Sequence, residues 1–415
     1  MTRARGFRTV FVLAVLAGIA AGSARAETWK GLELRRRMAS AAWKPGPFRI
    51  QPSFVLSNAG VDSNVLYSPT DPIKDFTITA GPAATIYVPI VSRFVLSLSG
   101  SPQYVWYSKT DRERTWNYFL TAAAQINLRN VFFSLDGIYS DARERWNTEI
   151  DLRPRRKQIG YGASALVKIA WKTSLSIAYR TAKYNYESVE ADGGFNVRER
   201  LNRRESYGNF SIFYQLATER RFFLDFEYGL YRFEFPTQAA LGDSQSGAAY
   251  AGLEFSQFGR RIRGRIRLGY KKFDVRAAEG LDFQGLVGDS QVSVRLARPF
   301  AIRGSYTRDV QFSLWYGNPY YVMSQPGVGA SVYPLRFVRL DYDYSIGRNR
   351  YPVVGGGAPE LKRLDEYTIH SVGIYFRILK TTALGFIASW WARDSNLASE
   401  NDKRTFFGLN LTYDF

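Results

Sequence analysis

A row of arginines is the clearest candidate for chemistry in this sequence. Within the stretch RIRGRIRLGY, every second residue is basic, and isoleucine, leucine or glycine fills the positions between. A period of two predicts a β-strand, because alternate side chains of a strand share one face, whereas a helix repeats every 3.6 residues. Four cations on one face could grip a nucleic acid, lie in solvent, or line a water-filled channel. The row consists of Arg261, Arg263, Arg265 and Arg267.

Other residue types give catalysis or metal binding little material. The chain has no cysteine, and His370 is its single histidine, so thiolate sites and histidine-assisted hydrolysis are disfavoured. Oxygen ligands for calcium could come from Asp62, Asn64 and Asp71, but their spacing fits no dedicated calcium loop. We interpret them as turn-forming residues. We therefore expect no enzymatic activity, no cofactor and no metal site.

The N-terminus has the pattern of a cleaved secretory signal. Basic residues precede an apolar run from Val10 to Ala21, and a small-x-small motif ends at Ala26. Residues 1–26 carry four arginines and no acids, so their removal lowers the formal net charge from +19 to +15. Export makes nucleic acid an unexpected partner for this basic chain. Residues 27–46, ETWKGLELRRRMASAAWKPG, form a short segment before the barrel. Either this segment is a short basic helix in the periplasm or inside the lumen, or it is a disordered tail.

Residues 47–415 show an alternation of apolar and polar residues almost throughout. From Phe222 to Leu230, for example, the even positions are apolar, while Asp225 and Glu227 share the other parity. No stretch of the mature chain is long and apolar enough for a spanning helix, and a closed β-barrel is the other structure that satisfies its backbone hydrogen bonds in lipid. We divide this region into about eighteen strands, with centres near residues 53, 79, 99, 120, 136, 164, 180, 208, 228, 251, 267, 291, 305, 327, 342, 371, 387 and 409.

The connections between these strands alternate in length. Short connections such as 127–130 and 333–336 alternate with long polar ones such as 140–154 and 187–204. Outer-membrane barrels have this arrangement, with tight turns on the periplasmic side and long loops outside. The sequence thus predicts an all-β fold: a single transmembrane antiparallel up-and-down β-barrel of about eighteen strands over residues 47–415, with short periplasmic turns and long extracellular loops.

The C-terminal segment TFFGLNLTYDF adds a family resemblance. Its apolar residues recur at two-residue steps up to a terminal aromatic residue, which resembles the C-terminal strand that the insertion machinery reads in Gram-negative outer-membrane β-barrels. This resemblance implies that the chain lies in the outer membrane, with lipids, lipopolysaccharide and the insertion machinery as partners. Nothing in the sequence predicts the oligomeric state. The residues that form the predicted insertion signal are Phe407, Leu409, Leu411, Tyr413 and Phe415.

A second resemblance concerns the N-terminal hairpin. The stretch NAGVDSNVLYSPTDPIKDFTITAGP, residues 58–82, is similar to the first hairpin of a family of β-barrel porins often associated with bacterial exopolysaccharide export. What this resemblance implies is a passive conduit.

The alternation also predicts which charged residues face the lumen. Either the inward arginines select anions, or carboxylates on neighbouring strands neutralise them and they only brace the wall; the positive surplus of the mature chain favours anion selection. Gly264 and Gly269 are interpreted as fillers of a curved sheet. The selectivity candidates are Arg261, Arg263, Arg265, Arg267, Arg295, Arg303 and Arg339. Their predicted acidic partners are Asp225, Glu227, Glu254, Asp289, Asp341 and Asp343.

Three functions remain open at this point. The first is a porin-like channel for passive diffusion of small anionic or saccharide solutes, because sixteen to eighteen strands leave a water-filled lumen. The second is a conduit for an exported polysaccharide, and the third is a structural or adhesive barrel with a closed lumen. Either the glycine-rich loop 347–363 or the basic loop around Arg198 to Arg204 could fold inward as a constriction.

Overall fold

The computed structural model describes residues 28–146, 149, 152–191, 195–236, 242–256, 261–276, 281–315, 318–352, 363–379 and 381–415. Eighteen long strands form one closed antiparallel ring, in which the first strand pairs with both the second and the last. The strands are β1 (Arg49–Asp62), β2 (Asp75–Val91), β3 (Phe94–Tyr107), β4 (Thr115–Asn127), β5 (Val131–Arg143), β6 (Arg155–Lys168), β7 (Thr173–Tyr186), β10 (Arg203–Ala217), β11 (Arg220–Phe233), β12 (Ser244–Phe255), β13 (Ile262–Val275), β14 (Phe283–Ala297), β15 (Phe300–Phe312), β16 (Tyr320–Leu335), β17 (Val338–Arg350), β18 (Leu364–Arg377), β19 (Thr382–Ser395) and β20 (Asp402–Asp414).

The remaining elements are not part of the barrel wall. A two-stranded hairpin, β8 (Glu190–Ala191) and β9 (Phe195–Asn196), and a short helix follow β7. A longer helix precedes β1, and none of the described helices is long and apolar enough to cross a membrane. Among the described residues, the α-helices are α1 (Trp29–Ala39) and α2 (Val197–Leu201), and 3₁₀-helices span Asp111–Glu113 and Ala398–Glu400.

The predicted barrel is confirmed in its strand number and in its order. Each of the eighteen predicted centres falls inside an observed strand, and every strand pairs with its sequence neighbours in the barrel. Turns of two to six residues join the strands at one end of the ring, and loops of six to sixteen residues join them at the other. By the rule for outer-membrane barrels, the end with short turns is periplasmic. The predicted signal, residues 1–26, lies outside the described residues.

Helix α1 lies inside the ring at its periplasmic end. Leu34 packs against side chains from β3, β5 and β6, and the Trp29 ring contacts Phe213 on β10 and the guanidinium of Arg221 on β11, 3.9 Å from the ring centroid. An eleven-residue helix, about 16 Å long, can touch strands spread over an arc of seven of the eighteen strands of a closed ring only from within. The sequence left open both whether this segment is a helix and where it lies; the structure shows a helix, and these contacts put it in the lumen.

A close approach fixes α1 against the wall. A Cβ added at Gly31 would lie 2.2 Å from Oδ1 of Asn127, the last residue of β4, so only glycine fits at this position without a shift. Burial lowers the pKa of the Lys30 ammonium and raises the pKa of the Glu33 carboxyl. Both shifts have the same cause, because the low-dielectric lumen wall disfavours the charged form of each group.

The loop between β5 and β6 crosses the extracellular mouth. The Glu149 carboxylate accepts hydrogen bonds from the Ser313 hydroxyl at 2.5 Å and from the backbone N–H groups of Leu314 and Trp315 at 2.9 and 3.1 Å. These three residues follow β15, and six strands separate β6 from β15 on the shorter way round the ring. The loop therefore spans the lumen nearly along a diameter.

Helix α2 also packs inward, toward the same anchor point. Its buried residues Val197 and Leu201 cluster with Tyr186 and with Leu314 from the far side of the mouth. The loop containing Arg198 to Arg204, one of two predicted constrictions, thus contributes to the mouth. Most of the other, the glycine-rich loop, lies outside the described residues. The crossing loop of residues 144–154, which provides Glu149, was not predicted as a constriction.

Candidate functional site

The structure places the arginine row on the lumenal face of β13. Arg221, which contacts α1, shares its parity on β11 with Asp225, and the Asp225 carboxylate pairs with Arg265 and Arg267 across β12. The alternate residues of β13 point outward, where Leu268 and Tyr270 are each 52% exposed to the lipid side. Arg261 directly precedes β13. The lumen-facing assignment of the row therefore follows from the register of three adjacent strands.

Arg267 is the centre of an ion-pair cluster. Its guanidinium lies 3.2 Å from Asp225, 3.4 Å from Glu227 and 3.4 Å from Asp289, measured between nitrogen and oxygen. The Tyr250 ring on β12 lies beneath it, 3.5 Å from ring centroid to guanidinium carbon. The side chain is only 13% exposed, so these contacts replace most of its water. At this position the arginine braces the wall.

The two glycines of the row are more than fillers, which corrects the sequence interpretation. Gly264 has a φ of +119°, a backbone conformation that residues with a side chain rarely adopt. A Cβ on Gly269 would lie 2.2 Å from the Ala249 carbonyl oxygen and 2.6 Å from the Tyr250 ring. Because Gly269 has no side chain, the Tyr250 ring has room to lie under Arg267.

The other arginines of the row differ from Arg267 in exposure. Arg265 makes one ion pair, with Asp225 at 3.2 Å, packs over the Phe223 ring at 4.3 Å and is 41% exposed. Arg261 and Arg263 are exposed at the periplasmic end. Across the strand pair, Arg295 is exposed near the end of β14, where its backbone N–H donates to the Arg261 carbonyl oxygen.

Glu254, predicted to neutralise the arginine row, pairs with an arginine outside that row. It lies opposite Arg265 in the β12–β13 register, yet its carboxylate pairs with the buried Arg221 of β11 at 3.4 Å. Arg221 is held from its other side by the Trp29 ring of α1. Sequence analysis did not single out Arg221; its alternation with Phe223 and Asp225 on β11 is the signal that could have identified it.

A second cluster of charges lies on β15 and β17. Arg303 pairs with Asp343 at 2.8 Å and with Asp341 at 3.5 Å. Asp341 also forms an ion pair with Arg339 at 3.0 Å, and the Arg339 guanidinium packs over the Tyr375 ring at 4.2 Å. These four predicted lumenal residues thus come together, although they lie apart from the Arg267 cluster.

The residues considered for catalysis or metal binding have ordinary structural roles. His370 lies on the outer face of β18, where Nδ1 is 3.0 Å from the Tyr342 hydroxyl and its ring is 4.7 Å from that of Tyr344. Asp62 pairs with Arg404 at 2.6 Å, and the Asn64 side chain bonds to the Ser68 backbone as part of a turn. Within the described ranges, no group of three or more His, Cys, Asp or Glu side chains is placed to hold a metal ion.

Comparison with known proteins identifies the family. The model of the family described as "Putative beta-barrel porin 2" matches residues 41–415. The chain belongs to this porin family. Together with the closed eighteen-stranded ring and its apolar outer face, this membership establishes a multi-pass β-barrel of the outer membrane. No curated protein matches the chain.

Solved structures share the fold of this porin. OpdK of Pseudomonas aeruginosa, crystallised with vanillate, aligns with a TM-score of 0.50 and 10% identity over 88% of this chain and 98% of OpdK. OccAB3 of Acinetobacter baumannii aligns with a TM-score of 0.49 and 9% identity over 88% of this chain and 99% of its own. At such low identity the likeness concerns the fold alone.

The C-terminal strand of the porin closes the ring against β1. The predicted signal residues Phe407, Leu409, Leu411 and Tyr413 share the outward parity of β20, and Phe407 is 55% exposed. The terminal Phe415 ring packs against Tyr413 at 4.6 Å and against Trp43 at 5.6 Å, between centroids. The positions suit a strand that is read as it enters the membrane; its recognition by the insertion machinery stays a prediction.

Proposed function

We propose that this porin is a passive diffusion channel for small solutes that prefers anions. The observation that supports the preference is the charge balance of the lumenal face from mid-height to the periplasmic end. There the carboxylates are outnumbered by cations, and all six predicted acidic partners are ion-paired. The cations are Lys168, Arg180, Arg221, Arg261, Arg263, Arg265, Arg267, Arg295, Arg303, Arg339 and Arg377. The carboxylates are Asp136, Asp225, Glu227, Glu254, Asp289, Asp341, Asp343 and Asp414.

Helix α1 adds to the positive potential at the periplasmic mouth. Arg35, Arg36 and Arg37 are exposed on the helix, whose acidic residue Glu33 has a pKa raised by burial. In a channel with low-dielectric walls, such a surplus raises the local concentration of anions and lowers that of cations. The paired arginines hold the wall, and the surplus cations set the preference.

The dimensions of the path support small solutes. Eighteen strands spaced about 4.8 Å apart and tilted by about 40° enclose a ring roughly 35 Å across. Side chains, α1 at one end and the loop anchored by Glu149 at the other reduce this width. The contacts given above for α1 lie on the arc from β3 to β11, which favours a path along the opposite wall. A thick polymer has less room there than a small solute.

The anion preference is tested by replacing two arginines of the row, and Arg267 at the centre of the ion-pair cluster is kept. In Arg263→Ser/Arg265→Ser, the reversal potential across a potassium chloride gradient is expected to fall by about half of its wild-type value. The matched control is Lys109→Ser/Arg112→Ser, which removes two exposed charges from an extracellular loop and leaves the reversal potential unchanged. A wild-type reversal potential in the lumenal variant would contradict the proposed role of the row.

A further inference from the structure

A recess lies in the lumenal wall on β14 to β18, at mid-height of the barrel. Its volume is about 210 Å³, and it takes side chains from five consecutive strands. Those side chains share the lumenal parity of Arg303 and Asp343, so the recess opens to the channel. Its size suits one small cyclic molecule rather than a chain of several linked rings.

Two glycines of β16 form the floor of the recess. A Cβ added at Gly327 would lie 2.5 Å from the Ser305 hydroxyl oxygen, and one added at Gly329 would lie 2.1 Å from the Asp343 carboxylate. Any larger residue would displace those polar groups or fill the space. The recess is therefore specified by the sequence of β16, Gly-x-Gly at lumenal positions.

Most of the recess is lined by uncharged polar groups. Hydroxyls come from Ser305, Ser345 and Ser371, and amides from Gln291 and Gln325. Each of these groups can both donate and accept hydrogen bonds.

Neighbouring side chains fix the central amide of this set. Gln325 donates from Nε2 to the Ser345 hydroxyl at 3.3 Å, while its Oε1 accepts from the Tyr367 hydroxyl at 3.3 Å. A preorganised set of donors and acceptors loses less entropy on binding a polyol.

The charged pair at the rim argues against an anionic or zwitterionic ligand. Arg303 binds Asp343 through two nitrogens, at 3.1 and 2.8 Å, and lies 3.5 Å from Asp341. Its charge is thus balanced, while Asp343 remains 53% exposed. An incoming carboxylate would meet this carboxylate, whereas hydroxyl groups can donate to it and form charge-assisted hydrogen bonds.

We propose that the recess binds one neutral hexose in its pyranose form. Ring hydroxyls bond to Asp343, Gln325 and the serines, and the apolar C–H face of the sugar packs on Ile369. This inference rests on the proposed function, since it takes the channel to admit small solutes. The site would make the channel saturable for neutral sugars while ions pass along the basic wall.

Saturation-transfer NMR on the detergent-solubilised full-length barrel tests the inference. The probes are D-glucose, D-galactose and D-mannose, with gluconate as an anion and glycine as a zwitterion. At least one hexose is expected to give a saturable transfer signal, and gluconate and glycine are not. No signal from any hexose, or binding of gluconate or glycine in their place, would overturn the proposal.

Two kinds of variant place the signal in the recess. Ser305→Leu/Ser371→Leu fills it from the sides, and Gly327→Ser fills it from the floor; each is expected to lower the hexose signal by about tenfold. The control Ser97→Leu/Ser99→Leu alters two lumenal serines of β3, outside the recess, and keeps the signal. An undiminished signal in a folded recess variant would refute the site.

Ion conductance of the same preparations separates this inference from the proposed function. Conductance without a recess-dependent hexose signal overturns the hexose site and leaves the channel. A recess-dependent signal without conductance supports the site and overturns the open channel.

Discussion

Replacing Arg267 with methionine is expected to destabilise the barrel by about 3 kcal/mol, because a largely buried ion-pair cluster loses its only central cation. Glu227 and Asp289 would then lose their ion pair with Arg267, Asp225 would keep only its pair with Arg265, and the Tyr250 ring would lose the guanidinium above it. The free energy of unfolding in lipid vesicles, measured by urea titration of tryptophan fluorescence, reports the change.

Two controls identify the cause of the Arg267 effect. Arg263→Met removes an exposed arginine of the same strand and face, so its effect should stay within about 0.5 kcal/mol. Adding Glu227→Gln and Asp289→Asn to Arg267→Met should recover part of the lost stability, because it removes the two carboxylates that lose their ion pair with Arg267. Equal stability of Arg267→Met and the wild type would contradict the bracing role.

Deleting residues 28–41, which contain α1, is expected to raise the single-channel conductance by roughly half or more. A helix about 16 Å long and 10–12 Å thick covers a substantial part of the mouth of an eighteen-stranded ring. The wall residues that contact it, such as Phe132 and Leu166, would line an unobstructed opening. Planar-bilayer recording at fixed salt measures the change.

A point substitution separates loss of the helix from loss of its position. Gly31→Leu places a side chain where Asn127 already lies within 2.2 Å, so overpacking of about 1–3 kcal/mol should expel α1 and raise the conductance similarly. The control Leu32→Ala changes an exposed residue of the same helix and keeps wild-type conductance. If the deletion leaves conductance unchanged, α1 does not obstruct the path.

The alternation of β-strands made most of the fold predictable. Side-chain parity is a local property with a period of two, and burial on one face with lipid on the other enforces it along every strand. The same parity predicted the lumenal position of Arg263, Arg265 and Arg267 from a ten-residue window. Loop composition predicted where the strands end, because tight turns and long polar loops differ in their residues.

Differences within the arginine row were not predictable in the same way. Arg263 and Arg267 have the same residue type and parity, yet one is exposed and the other is buried among three carboxylates. The difference depends on the inter-strand register of β11 to β14, which a single sequence fixes only to within a few residues. Glu254 lies opposite Arg265 on one side and Arg221 on the other, and it pairs with Arg221, which alternation alone does not decide.

The constrictions depend on contacts between residues far apart in the chain. Glu149 bonds to residues more than 160 positions away, and its own polar loop resembles the others in composition. A basic helix within residues 27–46 was one of two forms that the sequence allowed, and its location depends on Leu34 fitting among β3, β5 and β6. Neither contact leaves a local pattern in the sequence.

The proposed channel is tested most directly by wild-type protein in planar lipid bilayers under a potassium chloride gradient. For an open channel that prefers anions, we expect steady, repeatable conductance steps and a reversal potential with the sign of an anion-preferring pore. A silent protein would contradict the open channel, and stable steps with a cation-preferring reversal potential would contradict the role assigned to the arginines.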